Sequence, residues 1–205
     1  MGYIIKEIFR TLQGEGRYSG RAAVFCRFSG CNLWSGRESD RAWAVCQFCD
    51  TDFIGGDRFN NAESVVAALS AHWGTARNHQ FVVFTGGEPL LQLDQALIDA
   101  CHAAGFEIAV ETNGTVVAPS GIDWLTVSPK AGAPFLQRSG NELKLVYPQP
   151  GLEPADLSAL PFSEFWLQPL DGPARDANTA AAVAWCMDNP PWRLSLQTHK
   201  IIGIP

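Results

Sequence analysis

The chain has 205 residues, of which 46% are apolar and 18% charged, with a formal net charge of −6. This composition excludes a disordered protein, and the length predicts one domain over residues 1–205. The acidic balance argues against binding nucleic acid through its phosphates. The N-terminus does not resemble a signal peptide, and no apolar stretch is long enough to span a membrane. We therefore expect a cytoplasmic protein whose six cysteines are ligands or core residues rather than disulfides.

Eight short runs predict β-strands, because they are rich in Val, Ile, Phe and Trp and are bounded by Gly, Pro or polar residues. They lie near residues 3–9, 22–28, 81–85, 106–111, 124–128, 142–147, 164–168 and 193–198.

Three segments with helical periodicity lie among these runs, at 61–73, 92–104 and 177–188. Asn60 and Glu63 resemble a capping box at the first, and Gly105 stands where the second should end.

The third helical segment predicts a buried face of Val183, Cys186 and Met187, with Asp176 as its N-cap. Alternating strands and helices indicate an α/β protein with a mainly parallel sheet. Since three helices are too few for eight βα units, we expect a partial (β/α) barrel of about six parallel strands with three main helices. An open doubly wound sheet is the alternative.

The spacing Cys31-x14-Cys46-x2-Cys49 is the strongest chemical signal in the sequence. Both zinc and iron–sulfur clusters are bound by CxxC turns, but structural zinc needs a fourth ligand. The remaining cysteines and three of the histidines are poor candidates, because they lie on apolar faces, off the apolar stripes or in a loop: Cys26, Cys101, Cys186, His72, His79 and His102. Three cysteines without a fourth ligand favour a four-iron cluster with one open iron.

A second motif follows the apolar strand at 81–84, as Thr85-Gly86-Gly87-Glu88-Pro89. Two glycines let the backbone approach a ligand closely. Exposed carbonyls and the Glu88 carboxylate would suit the ammonium of a methionine moiety.

Cys46-Gln47-Phe48-Cys49 and this glycine turn resemble the signature of the radical S-adenosylmethionine (SAM) superfamily. The long first spacer departs from the usual superfamily pattern but occurs in the 7-carboxy-7-deazaguanine synthase family, which the whole chain resembles. The matching segments are 11–16, 25–28, 31–51, 85–89, 111–114, 128–130, 168–172 and 197–200.

The resemblance implies a radical lyase of the 7-deazaguanine (queuosine) pathway. Its substrate would be 6-carboxy-5,6,7,8-tetrahydropterin, and its product 7-carboxy-7-deazaguanine. A reduced [4Fe–4S] cluster would cleave SAM to a 5′-deoxyadenosyl radical that takes hydrogen from C6, and ring contraction would expel ammonia. Mg²⁺, an electron donor such as flavodoxin or ferredoxin, and a homodimer are also implied.

The resemblance also implies site residues, with the radical generated on SAM rather than on a protein side chain. Cys31, Cys46 and Cys49 would hold the cluster, and Thr51 would bind Mg²⁺. Residues for SAM would be Phe48, Cys49, Asp50, Gly87, Ser128, Pro129, Lys130, Gln168, Pro169, Leu170 and Asp171. Residues for the pterin would be Leu12, Gln13, Gly14, Glu15, Arg27, Thr85, His199 and Pro205.

Local chemistry agrees with two of these roles. Glu15 can accept hydrogen bonds from pterin N–H groups, although a solvated acid is the plain alternative. Arg27 lies on an apolar strand and needs a partner, which is either the substrate carboxylate or an internal salt bridge.

The apolar C-terminal residues Ile201, Ile202 and Ile204 predict a packed tail, because burying them is favourable. In the resembling family the final proline, here Pro205, lies at the substrate. A tail that merely seals the barrel is the alternative.

Two competing functions remain. A glycyl-radical activating enzyme would share the cluster but act on a protein. A zinc-stapled binding module would have no catalysis.

Overall fold

Nine strands form one mixed sheet in the computed structural model, which describes residues 2–76 and 78–205. They are β1 (Tyr3–Leu12), β2 (Ala22–Phe28), β3 (Asp57–Phe59), β4 (Phe81–Gly86), β5 (Glu107–Thr112), β6 (Trp124–Val127), β7 (Gly140–Tyr147), β8 (Phe162–Pro169) and β9 (Trp192–Leu194).

The strand order is β3-β1-β2-β4-β5-β6-β7-β8-β9. β1 runs antiparallel to both of its neighbours, and the seven strands from β2 to β9 in this order are parallel. These parallel strands follow chain order, whereas a doubly wound sheet reverses its order at a switch point. One cavity is lined by side chains from six strands between β1 and β8, which requires a curved sheet. The predicted α/β class and partial barrel are confirmed.

Five α-helices accompany the sheet within the described residues: α1 (Ala62–Trp73), α2 (Gln95–Ala103), α3 (Pro154–Leu157), α4 (Arg175–Asp188) and α5 (Thr198–Ile202). α1 packs on β1, β2 and β3, α2 on β5, and α4 on β8 and β9. The three long ones, α1, α2 and α4, are the three main helices that the periodicity predicts.

The two faces of the parallel strands differ in chemistry. On β5, Ile108 and Val110 enter the apolar core beneath the helices, while Glu111 faces the cavity. The same alternation on β7 puts Leu143 and Leu145 in the core. The curved sheet therefore has an apolar convex face and a concave face that carries polar groups.

The helix ends differ slightly from the predictions. Asn61, not Asn60, caps α1, and its side chain accepts a hydrogen bond from Ser64 N at 3.0 Å. A short 3₁₀ turn precedes α2, so α2 begins after Asp94, whose carboxylate accepts from Leu97 N. Gly105 follows α2 with φ +83°, as expected for a helix terminus.

Of the three residues predicted to form the buried face of the third helix, only Cys186 packs against the core. Val183 and Met187 are 37% and 77% exposed, and Ala182 is the buried residue of α4. A small side chain lets the helix lie close to β8 and β9, so the apolar stripe misleads here. Asp176 is inside the helix, which begins at Arg175 without a side-chain cap.

Two predictions for the C-terminal segment are also wrong, namely the end of its strand and the burial of Ile201 and Ile202. The expected strand at 193–198 ends at Leu194, because Thr198 N and Thr198 Oγ1 both donate to Gly14 O at 2.9 Å and direct the chain into α5. Ile201 and Ile202 are 71% and 58% exposed. Ile204 is half-buried, so the segment is held by polar and backbone contacts more than by burial of its isoleucines.

Over residues 2–76 and 78–205, no helix combines the length and apolar character that crossing a membrane requires.

Candidate active site

A cavity of about 630 Å³ lies at the C-terminal ends of the parallel strands. This is where active sites form in (β/α) barrels. Its lining includes every predicted site residue except Pro129, which is buried behind Ser128 and Lys130. Segments from position 6 to position 205 therefore meet at one place.

Cys31, Cys46 and Cys49 border one part of this cavity. Leu33 N donates to Cys31 Sγ at 3.4 Å, and burial raises the pKa of the Cys31 thiol. A hydrogen bond from the Cys46 thiol lowers the pKa of Cys49 to about 6. In the described part of the chain, no three His, Cys, Asp or Glu side chains are arranged to hold a single metal ion.

The glycine turn after β4 packs directly against the first cysteine. Gly87 N donates to Phe28 O at 3.2 Å, and a Cβ on Gly87 would overlap the Gly30 carbonyl oxygen and lie 2.8 Å from the Cys31 Cβ. Because no side chain fits at Gly87, the turn must be glycine for the cysteine loop to close over it. Three thiols beside an open cavity, with this close backbone approach, fit a [4Fe–4S] cluster and its ligand.

Glu88 does not face the cavity, so the expected contact with an ammonium group is wrong. Its carboxylate is fully buried and accepts from Thr112 Oγ1 at 2.7 Å, Asn113 N at 2.7 Å and Leu90 N at 3.0 Å. Burial raises the pKa of Glu88 despite these donors. Its role is to tie the turn after β4 to the end of β5.

Asn113 holds the cysteine loop in a way that the sequence did not reveal. Its Nδ2 donates to Asn32 Oδ1 at 3.1 Å, and Asn32 Nδ2 donates to Thr115 Oγ1 at 2.8 Å. The residue next to Cys31 is thereby fixed to the end of β5.

Arg41 performs a similar task for the CxxC turn. Its Nη1 donates to Gln47 O at 2.8 Å and to Cys49 O at 2.9 Å, and its guanidinium lies 4.1 Å from the Trp34 ring centroid. Two hydrogen bonds from one amino group and stacking on a ring together suit the planar guanidinium of an arginine. The 14-residue spacer between Cys31 and Cys46 therefore contains the residue, Arg41, that holds the CxxC turn in place.

A buried charge cluster forms another part of the cavity wall. Lys144 is 3% exposed, and its Nζ donates to Glu15 Oε2 at 2.6 Å and to Glu111 Oε2 at 2.5 Å. Gln197 Nε2 donates to Glu15 Oε1 at 3.0 Å, and Gln13 Nε2 donates to Glu111 Oε1 at 2.9 Å. All five side chains border the cavity, so two oriented carboxylates face its interior.

The pKa values follow from this pairing. Burial alone would raise the pKa of Glu15, but the Lys144 ammonium and its hydrogen bond lower it to about 2. Burial would lower the pKa of Lys144, and its carboxylate neighbours, Glu111 and Glu15 foremost, outweigh this and raise it. Glu15 is therefore an ionised acceptor at neutral pH.

Glu142 lies two residues before Lys144 on the same face of β7 and lines a very small secondary cavity. Its Oε2 accepts from Arg17 N at 3.1 Å and from Trp124 Nε1 at 3.2 Å. Burial raises the pKa of Glu142 to about 7. The sequence analysis did not identify this group, although it alternates with Leu143 and Leu145 along β7.

Arg27 borders the cavity and already has an internal partner. Its Nε donates to Glu7 Oε1 at 2.7 Å, which is the salt bridge that stood as the alternative. Its side chain is only 20% exposed, and its hydrogen bond in the described structure uses Nε alone. The planar guanidinium therefore keeps its two amino groups for a further acceptor.

Ser128 and Lys130 form a compact unit at the end of β6. Lys130 Nζ donates to both Ser128 O and Ser128 Oγ at 2.6 Å, and burial lowers the pKa of Lys130. Gln168, at the end of β8, accepts from Ser195 Oγ at 3.1 Å. These groups lie in the lining together with residues 169–171.

The C-terminal segment closes the remaining side. The His199 ring packs against Gly14 so closely that a Cβ there would overlap its Nδ1. Thr11 Oγ1 donates to Pro205 O at 2.9 Å. Lys200, which the sequence analysis did not single out, also borders the cavity.

The sequence profile of the Radical SAM superfamily matches residues 41–144. This range includes Cys46, Cys49 and the glycine turn, while Cys31 precedes it.

Full-length relatives carry a more specific name. The chain is 62% identical to the 7-carboxy-7-deazaguanine synthase of Caulobacter vibrioides and 60% identical to that of Bordetella pertussis, with all of this chain and all of each relative covered. Its fold is similar to the crystal structure of QueE from Escherichia coli, with a TM-score of 0.73 and 28% identity over 96% of this chain and 94% of that one. A cysteine-lined cavity at the barrel mouth, a superfamily profile and full-length relatives agree, and the chain belongs to the 7-carboxy-7-deazaguanine synthase family of the radical SAM superfamily.

Proposed function

We propose that this chain converts 6-carboxy-5,6,7,8-tetrahydropterin to 7-carboxy-7-deazaguanine with loss of ammonia, as a radical SAM lyase. The observation that carries the proposal is a single cavity that joins the three cysteines, the glycine turn and two partly buried carboxylates oriented by Lys144. Relatives named for this product match over their full length.

Cys31, Cys46 and Cys49 would hold a [4Fe–4S] cluster through their thiolates. When bound, the cluster supplies the electron that cleaves SAM and so begins the removal of hydrogen from the substrate. The protein's part is to hold both reactants close together and exclude water. Gly87 gives the close backbone approach, and Asn113 and Arg41 fix the loops that carry the thiols.

The SAM side of the cavity would consist of the predicted backbone and side-chain groups after β4, β6 and β8, with Phe48 next to the last cysteine. Lys130 with Ser128 and the carboxylates of Asp50 and Asp171 offer donors and acceptors for the amino acid and ribose parts. Pro129 shapes the turn between Ser128 and Lys130 from behind the cavity surface.

The substrate side would use Glu15 as an acceptor for pterin N–H groups, since it stays ionised. Arg27 would bind the pterin carboxylate through its free amino groups, with Glu7 holding its Nε. Leu12, Gln13, Gly14, Thr85, His199 and Pro205 complete this side of the lining.

A decisive test begins with anaerobic reconstitution. We expect a brown protein with about four irons that converts the pterin, and Cys31→Ala, Cys46→Ala and Cys49→Ala variants that lose the iron. Cys101→Ala is the matched control, because Cys101 is fully buried among apolar residues. A colourless protein that holds zinc, or one that activates a glycyl-radical protein instead, would overturn the proposal.

The role of Arg27 has its own test. Arg27→Ala should lose pterin turnover yet still cleave SAM slowly with a strong reductant, because the cluster side is unchanged. Turnover like that of the wild type would exclude the carboxylate role.

We further propose Mg²⁺ as an activator, with Thr51 as its protein ligand at the cavity edge. Removing divalent metal should lower turnover, and Thr51→Ala should raise the Mg²⁺ concentration required. A flavodoxin or ferredoxin as electron donor, a homodimer and a cytoplasmic location complete the proposal, and reconstituted turnover with each donor and light scattering test the first two.

A further inference from the structure

Lys200 joins two carboxylates that are far apart in the sequence. Its Nζ donates to Asp50 Oδ2 at 2.6 Å and to Asp171 Oδ2 at 2.7 Å. Asp50 directly follows the cysteine Cys49, and Asp171 follows β8. In the described residues, no other cation lies within 4.0 Å of either carboxylate.

The neighbouring residues of α5 are attached to the opposite side of the cavity. Thr198 N and Thr198 Oγ1 donate to Gly14 O at 2.9 Å, and the His199 ring lies against Gly14. Gly14 immediately precedes Glu15, the acceptor of the buried charge cluster. Three consecutive residues therefore connect the two walls of the cavity.

A contribution to stability from surface ion pairs explains this arrangement poorly. Lys200 is 35% exposed, Asp50 56% and Asp171 36%, so each ion pair alone contributes little to stability. Asp50 and Asp171 would repel each other without the shared ammonium. The bonds use Oδ2 of both, and no hydrogen bond to Asp50 Oδ1 is found in the described structure, so that oxygen can accept from a ligand hydroxyl.

We propose that Lys200 is a positioning residue that couples SAM binding to pterin binding. This inference rests on the proposed function, which assigns no role to Lys200. When SAM occupies the wall that carries Asp50 and Asp171, the two carboxylates are held in place and fix Lys200. Lys200 then holds α5, so that His199 and Gly14 are ordered for the pterin before it arrives.

The coupling can be measured at equilibrium, with the cluster oxidised so that SAM is not cleaved. Anaerobic calorimetry on the reconstituted enzyme gives the pterin affinity with and without SAM. We expect SAM to tighten pterin binding by about tenfold in the wild type, with the same factor for the effect of the pterin on SAM. Lys200→Ala should reduce this factor to near one, and Lys200→Arg should keep most of it.

Hydrogen exchange gives a second readout that does not depend on activity. SAM should slow exchange of the Thr198 and Ile204 amides, which donate to Gly14 O and His199 O, in the wild type but not in Lys200→Ala. Ile201→Ala is the matched control, because its side chain is 71% exposed, and it should behave as the wild type.

Three outcomes overturn the proposal. The first is a Lys200→Ala variant with both affinities lowered and the coupling factor unchanged, which is a purely structural effect. The second is a Lys200→Ala variant in which both affinities and the coupling factor are those of the wild type. A wild type that converts the pterin but shows no coupling overturns this inference alone. A wild type that binds SAM but not the pterin overturns the proposed function on which it rests.

Discussion

Strand β7 contains two kinds of buried residue in alternation. Leu143 and Leu145 are completely buried against the apolar core, while Glu142 and Lys144 are 2% and 3% exposed on the concave face. Burial of the leucines is favourable by itself. Burial of the two polar side chains is costly and is tolerated because each has hydrogen-bond partners, Glu142 through Arg17 N and Trp124 Nε1 and Lys144 through two carboxylates. We therefore expect the leucines to serve stability alone and Lys144 to serve both stability and substrate binding, and the following changes test that difference.

The largest effect is expected from Lys144→Met, which leaves the partly buried carboxylates of Glu15 and Glu111 without their cation. The free energy of unfolding should fall by about 3–5 kcal/mol. The pterin KM should rise by about 100-fold, since Glu15 loses a charged hydrogen bond that orients it. Urea unfolding and turnover kinetics at pH 7 measure the two effects.

A pH series and a double variant sharpen the same test. In the wild type the pKa of Glu15 is about 2, so it stays ionised from pH 5 to 8. Without Lys144 its burial raises that pKa, so pterin affinity should weaken as the pH falls. Adding Glu111→Gln to Lys144→Met should recover part of the stability. An unchanged pterin KM in Lys144→Met would contradict the role of this cluster.

The next effect concerns the convex face. Leu143→Ala should destabilise the protein by about 2–5 kcal/mol, because it leaves a cavity in the core beneath the helices. For the protein that remains folded, kcat/KM for the pterin should stay close to that of the wild type. A selective loss of turnover without loss of stability would break the separation of the two faces.

Glu142→Gln should stabilise the protein at high pH. The folded state raises the pKa of Glu142 from 4.5 to about 7, so it holds a proton that the unfolded chain releases between these values. The free energy of unfolding of the wild type therefore falls as the pH rises through this window, by up to about 3 kcal/mol. We expect the variant to be more stable at pH 8 and close to the wild type near pH 5. Equal pH dependence in both proteins would show that Glu142 is ionised in the fold.

The smallest effect is expected on the solvent side of α4. Met187→Ala should change the free energy of unfolding by less than about 0.5 kcal/mol, because Met187 is 77% exposed. Ala182→Leu, at the buried position of the same helix, is the contrasting variant and should be destabilising through overpacking. Equal changes in the free energy of unfolding for the two variants would show that Met187 lies on a buried face, as the periodicity predicts.

Local patterns predicted much of this site. The CxxC turn, the glycine turn and the polar residues after strands each occupy a few consecutive positions, and parallel strands bring their C-terminal ends together. Placing Arg27 opposite Cys26 needed only the two-residue period of a strand.

The rest depends on distant contacts. The cluster of Glu15, Lys144 and Glu111 joins a turn, β7 and β5, and the strand register that brings them together is not visible in the sequence. The pattern Glu142-Leu143-Lys144-Leu145 does carry a usable signal, because polar residues alternating with leucines in a central strand imply a polar concave face. The tail failed as a prediction because hydrophobicity says what could be buried, and the Thr198 contacts to Gly14 decide where the chain goes.

The ends of the sheet bear on how copies of this protein can associate. β3 and β9, the two outermost strands, have three residues each, and both contain a charged arginine, Arg58 or Arg193. Short, charged edges offer little backbone for another chain to pair with. Any assembly of this protein should therefore form through side-chain surfaces, and concentrated solutions should resist the strand-to-strand growth that leads to fibres.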